Sequence, residues 1–234
     1  MKKRFLAWIL TLCLLLAVLP AAAGAEGQEP IELTQDNYKN YLITTGWSGS
    51  AFLKTGSYIL TGDITFAGGD FFSIGLNSAN EGERSTVTLD LNGHVLMQTE
   101  NYKPVIDVYG GSSLTILDSS PNVPHKFSAD STGRWRLDED GGDKVVYGGI
   151  ITSTGVGTAF RIFPNRQEKL SAACTMNGGN IVGGTFENNG GGVLVDYYTE
   201  FIMNGGSIRG CTYTNFSREG GGGVHVLGTF TMNG

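Results

Sequence analysis

Short apolar–polar alternations, broken every few residues by glycine, run through most of the chain. In Phe201, Ile202 and Met203 the odd positions point to one side of an extended backbone. Asn204 and Gly205 follow, a pair suited to left-handed backbone at a tight bend. Ile208 then places one inward residue on a second strand, with Arg209 outward. After the glycine run at 220–223, Val224 and Val226 face in and His225 faces out. One period therefore holds three very short strands and three bends. A single period cannot close a core. Stacked periods can, each giving its strands to three parallel sheets. A helical interpretation fails, because 36 of 234 residues are glycine and they fall inside every candidate window.

The alternation recurs with a marker. Met-Asn-Gly begins at Met176, Met203 and Met232, spaced 27 and then 29 residues. Self-similarity at such a period is the signature of a solenoid. The predicted fold is all-β, a right-handed parallel β-helix with three short strands per coil. Its inward columns are Cys174, Phe201 and Phe230; Met176, Met203 and Met232; and Val193 and Val224. Asn177, Asn204 and Asn233 should stack as an internal or bend-side ladder, each amide bonding backbone above or below. Tyr58 to Phe66 reads as the first coil, broken at Gly62, and 71–84 as a loop. The segments 86–97 and 105–118 read as further coils. Leu89 and Leu114 are 25 residues apart, which puts the period at about 25–29.

The coil segments at 88–94 (Thr-Leu-Asp-Leu-Asn-Gly-His) and 110–119 (Gly-Gly-Ser-Ser-Leu-Thr-Ile-Leu-Asp-Ser), followed by the Met-Asn-Gly-Gly coils, carry a resemblance. The chain from Ser57 onward resembles the secreted, Gly-rich β-helix repeat proteins of gut Firmicutes. These are similar in fold to the pectin-lyase-like superfamily. The resemblance implies architecture more than activity. Many such proteins are surface proteins, which points to an exported, non-catalytic stalk or adhesin-like segment. The alternative it implies is a polysaccharide lyase or glycoside hydrolase.

The two ends of the chain read differently. Lys2, Lys3 and Arg4, an apolar run at 5–19 and Ala23-Gly24-Ala25 form a signal peptide over 1–25. Residues 26–56 read as leader and cap, and 57–234 as the β-helix. Within the cap, Thr34 should start a short helix over 35–43, with Leu33 and Tyr38 as a hydrophobic staple. Tyr38, Tyr41 and Leu42 would then cover the open end of the solenoid. The other end stops within a repeat, leaving Phe230 and Met232 uncovered. The expectation is more coils in the full protein, and end-to-end self-association of this segment made alone.

Export makes the charge more negative. The formal balance of −6 loses the three cations of the signal. That excludes nucleic acid and anionic membranes as partners and leaves surface or host glycans or proteins. The expected location is secreted or at the cell surface. Cys174 and Cys211 occupy different positions of the repeat, and two buried free thiols are expected.

Candidate chemistry is sparse. The acidic run from Asp138 to Asp143 lacks the spacing of a calcium loop and reads as a solvated loop. Gly155, Val156 and Gly157 lack the third glycine of a dinucleotide loop, since Phe160 stands there. His94, His125 and His225 lie in different coils or loops, so no metal or cofactor is assigned. The outward residues Asp90, Asp107, Arg161, Asp196 and Arg209 are scattered. Stacking could bring Asp90 and Asp107 together, with no cation evident beside them, so no catalytic residue is assigned. The one candidate ligand-binding group is Asp196 with Tyr197 and Tyr198, whose rings could stack on sugars. Two polar excursions, 119–144 and 164–172, are the segments where such folds carry function.

Overall fold

The computed structural model describes residues 29–44, 51–66, 69–75, 84–166, 169–186, 190–214 and 220–233. The predicted signal peptide lies outside them. Strand β1 (Ile31–Leu33) leads to a single 3-10 turn, Tyr38–Tyr41, then β2 (Leu42–Thr44) and β3 (Ala51–Leu53). The next coil is β4 (Gly56–Leu60), β5 (Ile64–Phe66) and β6 (Phe72–Ile74). After it come β7 (Thr86–Asp90), β8 (Val95–Gln98) and β9 (Ile106–Tyr109). Strand β10 (Ser113–Leu117) is followed by an insertion, β11 (Pro124–Ala129), β12 (Trp135–Leu137) and β13 (Lys144–Tyr147). The coil resumes with β14 (Ile150–Ser153) and β15 (Phe160–Phe163). The last coils hold β16 (Ala173–Met176), β17 (Asn180–Val182), β18 (Thr185–Phe186) and β19 (Val193–Val195), then β20 (Glu200–Met203), β21 (Ser207–Arg209), β22 (Thr212–Tyr213), β23 (Val224–Val226) and β24 (Thr229–Met232).

The strands sort into three long sheets. Sheet one is β1-β4-β7-β10-β16-β20-β24, sheet two is β5-β8-β14-β17-β21, and sheet three is β2-β3-β6-β9-β15-β19-β23. The result is a parallel β-solenoid of about 6 turns. The predicted columns are present. Cys174 pairs with Phe201 and Phe201 with Phe230; Met176, Met203 and Met232 stack likewise, and Val193 pairs with Val224. The columns run further back, through Leu114 and Val87 on sheet one and Phe160, Ile106 and Phe72 on sheet three. The Phe201 and Phe230 rings stack at 5.6 Å, and Phe160 and Phe201 at 5.8 Å.

Several expectations are corrected. Leu114 pairs with Val87, and Leu89 with Ile116, so the step there is 27 rather than 25. A two-residue shift keeps every side chain on its own face, so the hydrophobic pattern alone does not distinguish the two registers. Residues 72–74 form a strand and not a loop, because Phe72 and Ile74 stack beneath Ile106 and Val108. The left-handed residue in the repeated bend is the second glycine, Gly179 or Gly206 (φ +78° and +83°), not the first. At Gly206 a Cβ would also lie 2.1 Å from the Gly179 carbonyl. The asparagine ladder exists on the exposed bend, but amide bonds amide. Asn204 Nδ2 donates to Asn177 Oδ1 and Asn233 Nδ2 to Asn204 Oδ1, both at 2.9 Å.

The cap is present without an α-helix. The Thr34 carbonyl accepts from the Asn37 and Tyr38 amides, and Asn37 Oδ1 accepts from the Thr34 amide. These bonds close a tight turn. Leu42 is already extended, and β2 pairs antiparallel with β3, so the last strand of sheet three at this end runs against the stack. The covering is done by side chains. Tyr38 sets its ring edge-on against Phe66 (5.4 Å) and Phe72 (6.2 Å), and its hydroxyl donates to Asp70 at 2.9 Å.

The insertion is a small antiparallel sheet, ordered β12-β11-β13. Phe127, Val146, Trp135 and Leu137 pack on the outward residues Val95, Met97, Ile150 and Val182 of sheet two. Arg134 is the clip. It is 2% exposed, and its guanidinium donates to the carbonyls of Ser153, Gly155 and Gly183. Trp135 packs against Gly210, where a Cβ would come within 2.1 Å of its Cγ. The acidic run is tied into this sheet. Ser128 donates to Asp138, His125 contacts Glu139 and Lys144 donates to Asp143.

Candidate functional site

The chain turns from sheet three to sheet one at one corner of every coil. On the outer face of sheet three, just before that corner, β9 and β15 are in register. Asp107 stands beside Arg161, and Tyr109 beside Phe163. Alternation puts all four on the outside, since Val108 and Ile162 face the core. Arg161 Nε and Nη2 donate to the two Asp107 oxygens at 2.7 and 2.6 Å, a bidentate pair. The Tyr109 hydroxyl donates to Asp107 Oδ2 at 3.1 Å. Tyr109 stacks on Phe163 at 5.8 Å, and the guanidinium carbon of Arg161 sits 5.3 Å from the Phe163 ring. Burial and then the adjacent Asp107 hold the Tyr109 hydroxyl well above the usual phenol range. Burial works against the Arg161 cation, but the Asp107 carboxylate outweighs it and raises its pKa.

Asp107 is fully buried and already accepts three hydrogen bonds. A general base needs a lone pair that reaches a substrate proton. The position left over on Oδ1 is closed to a substrate by burial, since Asp107 is at 0% exposure. Its other expected neighbour is elsewhere. Asp90 lies on sheet one and accepts from the amides of Asn92 and Ser119 at its own bend. The stacked carboxylate pair does not form.

The next stacked corner holds the predicted aromatic site. The Asp196 side chain is 10% exposed. Its Oδ1 accepts from the Tyr197 amide at 2.7 Å, and Arg166 Nη2 lies 3.0 Å from its Oδ2. The Asp196 carbonyl accepts from Thr199 Oγ1 at 2.7 Å and from the Thr199 amide. Asp196 thus fixes the turn and holds Arg166. Tyr197 and Tyr198 do project, at 50% and 82% exposure. Two clefts flank them. One of about 520 Å³ is lined by Arg166, Lys169, Leu170, Ser171 and Tyr198. The other, about 650 Å³, is lined by Tyr197, Tyr198, Glu200, Leu227 and Thr229 among others.

Sequence reasoning found the tyrosines but missed Arg166 and Lys169, which the second excursion carries to the same corner. It also missed the pairing of Arg161 with Asp107. The remaining candidates stay apart. Arg209 donates to Ser207 on sheet two. Gly155 and Gly157 serve close packing, since a Cβ at either would strike the backbone of Glu100 or Lys103. Among the described residues no three His, Cys, Asp or Glu side chains converge on a metal position, and no helix is long and apolar enough to cross a membrane. Cys174 and Cys211 are both free; Cys174 is buried and Cys211 half-buried.

No known protein family, curated protein or solved structure matches this chain.

Proposed function

We propose that the chain is an exported, non-catalytic β-solenoid of a bacterial surface protein, a stalk or adhesin-like segment. The observation that carries this is the state of Asp107. The carboxylate best placed for acid–base chemistry on an outer sheet is buried and bound on both oxygens. What the solenoid offers outward is a pair of tyrosines above two clefts, the equipment of binding rather than turnover. Export is supported by the basic start, the apolar run and the Ala23-Gly24-Ala25 cleavage pattern.

The test has two arms. Expressed in a bacterium with its leader, the protein should reach the medium or cell surface with Glu26 at its N-terminus. The purified protein should yield no unsaturated product from polygalacturonate. A steady absorbance rise that disappears in Asp107→Ala or Arg161→Ala, with the fold retained, would instead make the chain a lyase.

A further inference from the structure

The geometry points to a second property of this corner: we propose that Tyr198, with Lys169 and Arg166, binds a glycan bearing a carboxylate. This rests on the adhesin-like interpretation and gives it a ligand class.

Tyr198 is held in an uncommon way. Its φ is +61°, in the left-handed region that L side chains other than glycine avoid. Backbone strain of this kind persists where the surroundings over-determine it, and it collects at binding sites. Here the surroundings are the Thr199 and Tyr197 bonds to Asp196. Packing gives nothing in return, because the ring is 82% exposed. Tyr197 stands 6.5 Å away, centroid to centroid, inclined by 48°. Tyr198 lines both clefts, so a ring laid on its face has room on either side. Their volumes fall in the roughly 300–1,000 Å³ range of small-ligand sites.

The chemistry of the first cleft selects charge. Arg166 is anchored to Asp196 but its side chain remains 69% exposed, leaving guanidinium N–H groups for a second acceptor. Lys169, itself at φ +55°, makes no ion pair among the described residues. Among the described residues, Arg166 and Lys169 are the charged side chains that line this cleft, and no carboxylate lines it. A planar aromatic face beside such donors suits a pyranose ring whose carboxylate meets Arg166 and Lys169. A protein partner fits less well, because Leu170 and Leu227 are the main large aliphatic side chains lining the two clefts.

Titration calorimetry on the intact protein tests this with three probes: 3′-sialyllactose, hexagalacturonate and neutral lactose. At least one acidic probe should bind about tenfold or more tightly than lactose, and more weakly at high salt. Tyr198→Ala and Lys169→Ala should each weaken that binding about tenfold with unchanged circular dichroism and melting. Tyr102→Ala should change nothing: Tyr102 shares the left-handed φ (+63°) and the exposure but lines neither cleft, so the cleft and not the strain alone is tested. The two acidic arms separate a sialylated source from a uronate source. The proposal is overturned if neither acidic probe binds, if lactose binds equally well, if Tyr198→Ala leaves affinity intact, or if only glycan-free gelatin adheres through Tyr198. Failure here leaves the export and turnover results untouched. Product formed from bound hexagalacturonate would overturn the non-catalytic interpretation while the site stands.

Discussion

Changing Arg161 to Met should destabilise the coils that hold β9 and β15, and by more than a surface ion pair could. The guanidinium is 24% exposed and the Asp107 carboxylate is at 0%. Removing the cation leaves a buried charge without its partner, which typically costs about 3–5 kcal/mol. The Tyr109 hydroxyl still donates to Oδ2, and water reaches the Arg161 position, so the lower end applies: about 3 kcal/mol. At roughly 2–4 °C per kcal/mol for a chain of this size, the melting temperature should fall by about 6–12 °C. The double variant Asp107→Leu/Arg161→Met should recover most of this, because an apolar pair of similar volume replaces a buried ion pair at little cost. The single-variant losses should therefore be non-additive by about 2 kcal/mol or more. Urea titration reads the coupling, and hydrogen exchange shows whether the loss lies in β9 and β15, as expected where each coil contacts only its neighbours. A cost below about 1 kcal/mol, the size of an exposed pair, or strict additivity in the double variant, would refute the argument.

Further outcomes follow from the insertion and the thiols. Arg134→Met should free the small sheet from the coils, at a net loss of about 3 kcal/mol, since three carbonyls lose a charged donor while the burial cost of the cation is relieved. Red-shifted Trp135 emission and proteolysis within 119–148, with the other coils protected, would report it; unchanged emission and protease resistance would count against the clip. Asp130 is held down to about 2 by the Thr132 hydroxyl, then by backbone amides and Arg136. Its folded value lies below the unfolded value near ~3.9, so its stabilising contribution is complete above that pH and is lost as pH falls toward about 2. Asp130→Asn should flatten that acid limb in melts taken across the range, and an unchanged limb would sink the assignment. Burial pushes the Cys211 thiol up to about 11 and raises Cys174 well above its usual range. A thiol reagent at pH 8 should therefore leave buried Cys174 unlabelled until the chain is unfolded and label half-buried Cys211 more slowly than a free thiol, as peptide mapping would show; labelling of Cys211 at the rate of the unfolded chain would contradict this.

The solenoid was legible because its coils carry identical markers. Met176, Met203 and Met232 align themselves, and the partners Cys174, Phe201 and Phe230 follow from alternation. Where the marker is missing, alternation fixes the face but not the register, and Leu89 was offset by two from its true partner Ile116. Strand β6 was hidden for a different reason. Only three residues long, Phe72–Ile74 has too few alternations to show a period, and its inward residues become evident only once Ile106 and Val108 are stacked on them. The cap was legible as apolar residues at a chain end. Its form was not, since a turn at 34–38 and a single 3-10 turn that gives way to extended backbone at Leu42 are too local to leave a periodic trace.

The site was legible to the extent that it is a local feature. Tyr197 and Tyr198 are adjacent in sequence and exposed in the fold. Asp196 beside them looked like a third ligand, but its carboxylate is used by Tyr197 and Arg166, a bond that reaches 30 residues along the chain. In a solenoid, neighbours are set by the coil step. Arg161 and Asp107 are 54 residues apart, whereas the step between Thr86 and Ser113 is 27. Counting periods would put Arg161 two coils from Asp107. It lies on the next one, because the three-stranded insertion takes up about a coil's length of chain without adding a coil to the stack. The same insertion covers β8, β14 and β17 of sheet two, so the outward faces it leaves are those of sheets one and three, the corner between them and the Arg209 end of sheet two. That corner is where the tyrosines, Arg166 and Lys169 meet.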